Sequence, residues 1–123
     1  NLILVEFNKA FVKFLKKEFP NLRIVEGAAQ DLPQLLTGLG QFSVNKIISG
    51  IPLRSMKPAE CRQIARAVAA VLEPGGLFVQ FSYFKASPVP KAVAAEVGLV
   101  GQCVGGVLNN VPPAFVWQYV KSA

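Results

Sequence analysis

Apolar and polar positions along this chain fall in blocks. Leu2 to Val5 is an unbroken apolar run ending at Glu6, the pattern of a strand buried on both faces. From Phe7 to Phe19 the apolar residues recur at helical spacing, with Phe11, Phe14, Leu15 and Phe19 near one face. Asn8 is placed to cap this helix and Pro20-Asn21 to stop it. Leu22 to Val25 predicts a second strand, closing at Glu26-Gly27. A short helix starts at Asp31-Leu32-Pro33, with Asp31 as cap and Pro33 in the first turn, and stops at Gly38-Leu39-Gly40.

Val44 to Ile48 predicts a third strand. Pro58 to Leu72 is the best helix pattern in the chain, rich in Ala, with Ile64, Val68, Val71 and Leu72 on one side and Pro74-Gly75-Gly76 as its stop. Leu77 to Phe81 reads as a fourth strand and Lys91 to Val97 as a helix ended by Gly98. Val100 to Leu108 and Phe115 to Val120 are two final strands, and the five residues from Asn109 to Pro113 suit an antiparallel connection. Strand and helix therefore alternate before two strands follow one another. That order predicts a single α/β domain over 1–123, its sheet parallel for most of its width with an antiparallel carboxyl-terminal hairpin.

The chain has 123 residues, 52% hydrophobic and 16% charged, which excludes a disordered polymer and allows a core of ordinary size. No apolar run approaches the roughly 18 to 20 residues that span a bilayer, and nothing at the start resembles a signal segment, so a cytoplasmic location is expected. Histidine is absent, and Cys61 and Cys103 are the only cysteines. No zinc site of the usual kind and no His-based triad can be assembled, no metal is expected, and both thiols are expected to fill core. Thirteen Lys and Arg against seven Asp and Glu leave a net charge of +6. That excess favours a polyanionic partner, either an anionic membrane surface or nucleic acid. Lys9, Lys13, Lys16 and Lys17 suit a solvated helix face, whereas Arg54, Lys57, Arg62 and Arg66 gather just after a break in the third strand.

That break is Ser49-Gly50-Ile51-Pro52. Ligands of open α/β sheets bind beyond the carboxyl ends of the strands. Those ends are Val5-Glu6-Phe7, Glu26-Gly27-Ala28-Ala29, Ser49 to Pro52 and Phe81-Ser82-Tyr83, and they are expected along one sheet edge. Glu6 is the only charge between an apolar strand and an apolar helix. Its two oxygens match two adjacent ribose hydroxyls, and an acid there also suits the start of a helix; the pattern leaves both roles open.

In order, ILVEFN, IVEGAA, NKIISGIPL, LEPGGLFVQFSY and NNVPPAFVWQY resemble the S-adenosylmethionine-dependent class I methyltransferases, a Rossmann-like fold. Within that class they are most similar to the bacterial phospholipid N-methyltransferase group and its rRNA adenine dimethylase-like relatives. The resemblance implies S-adenosylmethionine as cofactor and methyl transfer to an amine, first the headgroup of phosphatidylethanolamine. RNA or DNA adenine N6-methylation is the second expectation, and a non-catalytic domain that keeps the fold for interaction is the third. Glu6, Phe7, Gly27, Ala28, Ala29 and Ser49 would line the cofactor. Relatives usually carry an acid at the position of Ala28, so that contact is lost; at Asn45 they usually carry Asp.

Ser49, Gly50, Ile51 and Pro52 stand where adenine N6-methyltransferases carry Asn-Pro-Pro-Tyr. A hydroxyl and fixed carbonyls there would accept the amine N–H bonds, and Tyr83 or water would take the released proton. Leu53, Arg54 and Lys57 would face a phosphate of the acceptor, whether phospholipid or nucleic acid; for a phospholipid, peripheral binding at the inner membrane follows. Members of the class also carry a first strand and a Gly-rich turn ahead of the Glu6 position. Neither occurs in these residues. The expectation is that 1–123 is the carboxyl-terminal part of a longer domain, with a gap between the strands ending at Glu6 and Ser49. Strand exchange in a homo-oligomer is the other way to fill it.

Overall fold

A computed structural model describes residues 1–122. In chain order it contains β1 (Ile3–Glu6), α1 (Lys9–Glu18), β2 (Arg23–Glu26), a 3-10 turn at Ala29–Asp31, α2 (Leu32–Thr37) and β3 (Val44–Ser49). A second 3-10 turn at Leu53–Ser55 leads into α3 (Pro58–Val71), β4 (Leu72–Ser82), α4 (Lys91–Val97), β5 (Leu99–Val107) and β6 (Ala114–Lys121). Each predicted element forms, most within a residue or two of its expected bounds.

The strands make two sheets. β1 and β2 pair in parallel, with Glu6 opposite Glu26. The second sheet has the order β3-β4-β6-β5: β3 runs parallel to β4, and β6 is antiparallel to both β4 and β5. β1 does not pair with β3 among the described residues. The four strand ends expected on one edge are therefore divided between two sheets, and β1 and β3 each keep one edge free of a neighbouring strand.

The segment Leu72-Glu73-Pro74-Gly75-Gly76 departs from the sequence reading. Helix α3 ends at Val71, within a residue of its expected end, but β4 begins at once at Leu72 and not at the expected Leu77. Val44 opposes Leu72 while Lys46 opposes Leu77, so Glu73 to Gly76 bulge out of the ladder, with Gly75 at φ 78°. A glycine reaches that left-handed conformation without steric cost. Asp31, expected to cap α2, makes no side-chain capping bond. Asn8 does cap α1, its Oδ1 accepting from the Phe11 N–H at 3.0 Å.

The core lies between α3, α4 and one face of the larger sheet. Ile64, Val68, Leu72, Phe78, Val89, Val93, Leu99 and Tyr119 form one buried cluster, and each fully buried aliphatic or Phe side chain contributes about 1.5–3 kcal/mol relative to exposure. Helix α1 is different. Val12 is its only buried residue, whereas Phe11, Phe14 and Phe19, which the sequence pattern sets near one face, are about half exposed. Cys61 is buried as expected, but Cys103, on β5, is exposed and does not fill core.

Candidate active site

Glu6 closes β1 and is tied to the chain around it. Its main-chain carbonyl accepts from the Gly27 N–H at 2.9 Å, which fastens the ends of β1 and β2 together. Its Oε1 accepts from the Asn8 N–H at 3.2 Å. One oxygen thus serves the start of α1, and the other takes no hydrogen bond among the described residues. Gly27 packs closely on Leu35: a Cβ there would lie 2.8 Å from Leu35 Cδ2, so a side chain would push the leucine aside. Ala28 is extended, Ala29 opens the 3-10 turn and packs on the main core cluster, and Phe7 is 75% exposed.

The turn after β3 is held by four hydrogen bonds. Ser49 Oγ accepts from the Ile51 N–H at 3.2 Å. The Ile51 carbonyl accepts from the Leu53 N–H at 2.8 Å and from Gln80 Nε2 at 2.7 Å, which occupies both of its lone pairs. The Pro52 carbonyl accepts from the Ser55 N–H at 3.0 Å. Ser49 Oγ and the Pro52 carbonyl keep acceptor capacity for a ligand; the Ile51 carbonyl does not. Gly50 has no positive φ, and a Cβ on it would meet nothing within 4 Å, so no steric need for glycine arises within these residues.

Leu53 corrects its assignment to the phosphate face: at 3% exposure it belongs to the core. Arg54 sits beside it on the surface. Its Nη1 donates to the Ser87 carbonyl at 3.3 Å, and its guanidinium lies 5.5 Å from the Phe84 ring centroid. Tyr83, half exposed, meets Phe81 edge to face at 4.9 Å in the segment that follows β4. The expected cluster of four cations divides. Arg62 and Arg66 both pair with Glu96 of α4, at 3.6 and 2.7 Å. The Arg66 hydrogen bond, then the Arg62 charge, hold the Glu96 carboxyl below its usual range. Arg54 and Lys57 have no carboxylate partner among the described residues. Residues 32–59 and 74–95 contain no acid at all and carry Lys46, Arg54, Lys57, Lys85 and Lys91.

Gln80 is the residue that the strand pattern did not flag as part of this site. A lone amide inside the apolar segment LFVQF was the available signal. Two shallow depressions, one lined by Gln30, Gln34, Gln63 and Arg66 and the other by Lys16, Phe19, Arg23 and Leu39, include neither Glu6 nor Ser49. Among the described residues no group of three or more Cys, Asp or Glu could hold a metal, and no helix is long and apolar enough to cross a membrane.

Comparison with solved structures defines the class of fold. The chain superimposes over 98% of its length on an amino pentose methyltransferase from Micromonospora echinaspora, with a TM-score of 0.72, 12% identity and 73% of that chain covered. It likewise matches the CurJ carbon methyltransferase over 98% of its length, with a TM-score of 0.71, 15% identity and 41% of that chain covered. The fold is that of the class I methyltransferases, an α/β architecture with a mixed sheet. In sequence, the chain is similar to an ornithine lipid N-methyltransferase of Singulisphaera acidiphila, 32% identical over 84 residues. That match takes in 66% of this chain and 44% of the relative, so the chain spans less than half of the relative's length. No family model matches.

Proposed function

We propose that the protein to which these residues belong transfers a methyl group from S-adenosylmethionine to the amine of a lipid headgroup. The observation that carries this reading is the Ser49–Pro52 turn at the end of β3, with acceptor atoms to spare, followed by Arg54 and Lys57, which have no carboxylate partner among the described residues, with half-exposed aromatic rings after β4. The likeness to a lipid N-methyltransferase supports the same choice. Phosphatidylethanolamine is the acceptor expected from the sequence, and its headgroup joins a primary amine to a phosphate within reach of such a rim.

Glu6 fits the cofactor's ribose, because one of its carboxylate oxygens is unengaged, and Gly27, whose N–H is tied to the Glu6 carbonyl, would stand beside it at the end of β2. When bound, S-adenosylmethionine supplies a methyl group already activated by its sulfonium. The chain itself has to orient the amine. Ser49 Oγ and the Pro52 carbonyl would accept its N–H bonds, turning the lone pair away from the turn, and Tyr83 or water would take the proton. A further strand, from elsewhere in the protein or from a second copy, would fit between the free edges of β1 and β3, where Ile48 is 78% exposed.

The test is transfer of a labelled methyl group by the full-length protein, offered vesicles of phosphatidylethanolamine, vesicles of ornithine lipid, and RNA. Labelled lipid is the expected product, with Ser49→Ala slowing its formation about 10- to 100-fold. Labelled RNA with unlabelled lipid would overturn the lipid assignment. Failure to bind S-adenosylmethionine would overturn methyl transfer itself and leave an interaction domain.

A further inference from the structure

Gln80 interrupts the apolar segment Leu77 to Phe81 and is fully buried, with 0% exposure. A leucine or methionine would fill that volume without loss of hydration, so a glutamine there is unfavourable unless its polar atoms are engaged. Its Nε2 donates to the Ile51 carbonyl at 2.7 Å and to the Phe81 carbonyl at 2.8 Å. These two acceptors decide which way round the carboxamide sits, because an oxygen in the place of Nε2 would oppose both.

The other end of the carboxamide is informative too. Gln80 Oε1 is sealed from solvent and has no donor among the described residues, and the indole Nε1 of Trp117 is sealed and has no acceptor. The two residues are directly opposed in the β4–β6 pair. Their side chains therefore share a face, with Cβ atoms about 4.5–5.5 Å apart. An orphan acceptor and an orphan donor stand on cross-strand neighbours, one of which already grips the turn after β3.

We propose that Gln80 is a positioning residue for methyl transfer, fixing the Ser49–Pro52 turn through the Ile51 carbonyl. What the turn does rests on the function proposed above; the bonds that hold it do not. Gln80 touches no reacting atom. Without it the Ile51 carbonyl keeps only the Leu53 N–H, and the turn beyond Ser49 loses its side-chain tie to β4.

Gln80→Met, at similar length and without donors, separates the possibilities in the full-length protein. The expected result is a kcat about 10- to 100-fold lower toward the amine acceptor, with unchanged affinity for S-adenosylmethionine. An unchanged kcat in folded Gln80→Met would overturn the proposal. A second measurement needs no folded variant: the Gln80 carboxamide protons of the unmodified protein should exchange with solvent far more slowly than those of the exposed Gln102. Fast exchange at Gln80 in a protein that does transfer methyl groups sinks the positioning role alone. Absence of transfer by the unmodified protein sinks the proposed function and the catalytic part of this role together.

Discussion

The ring of Tyr119 covers Gly101 across the β5–β6 pair so closely that a Cβ on the glycine would lie 2.6 Å from Tyr119 Cδ1. The missing side chain is what lets a fully buried tyrosine lie against an outer strand. Gly101→Ala must displace the ring, which also stacks on Phe78 and Trp117. Overpacking of this kind costs about 1–3 kcal/mol. Chemical denaturation of the variant should show that loss, and an unchanged midpoint would contradict the packing described.

Tyr119 also closes a ring of hydrogen bonds. Its hydroxyl lies 2.6 Å from Ser87 Oγ, Ser87 Oγ donates to the Val89 carbonyl, and the Val89 N–H donates to the Tyr119 oxygen at 3.0 Å. Tyr119→Phe strands a buried N–H and should cost about 1–3 kcal/mol. Alkaline pH should have a related effect. Burial pushes the Tyr119 hydroxyl above its ordinary value of 10.0, outweighing the Ser87 and Val89 hydrogen bonds, and pushes the Cys61 thiol above 9.0. Both groups are held protonated in the fold. Their contribution is complete below the ordinary values and is lost as pH rises through the raised ones, so denaturation midpoints should fall at alkaline pH and not near neutrality.

Glu6 and Asn8 share the start of α1 but should separate cleanly by assay. Asn8→Ala removes the cap to the Phe11 N–H and should lower stability by about 1 kcal/mol, with S-adenosylmethionine affinity little changed. Glu6→Ala leaves that cap in place. It should weaken S-adenosylmethionine binding about tenfold or more, the loss of a charge-assisted hydrogen bond. Calorimetric titration of the full-length protein distinguishes the two; equal affinities would return Glu6 to a purely helix-end role.

Arg54 and Arg62 should behave differently toward anionic vesicles although eight positions separate them. Arg62 already faces Glu96, whereas Arg54 lies over Phe84 with no carboxylate partner among the described residues. Arg54→Ala should weaken sedimentation with anionic vesicles, by an amount that shrinks as salt is added. Arg62→Ala should do so much less.

The sequence made much of this architecture legible because its blocks are separated by strong local signals. Lys91–Val97 forms as expected because Gly98, at φ 78°, takes a backbone conformation that side chains disfavour. Pro74-Gly75-Gly76 misled for a related reason: residues that end a helix also build a bulge, and only pairing with β3 distinguishes the two. The apolar stripe of α1 was visible, but a stripe does not say what covers it, and Phe11 and Phe14 stack on one another while half exposed. At the site, Glu6 and the Ser49–Pro52 turn were readable as strand ends. Leu53 and Gln80 were not, since whether an adjacent side chain turns inward depends on contacts made far along the chain.

The division of strands into two sheets also bears on how the molecule comes apart. No backbone ladder joins β1–β2 to the other four strands among the described residues; the 3-10 turn at Ala29–Asp31 and α2 lie against α3 instead. Opening the smaller sheet therefore breaks no rung of the larger one, and the amino-terminal third can melt as its own cooperative unit while the carboxyl-terminal core stays intact.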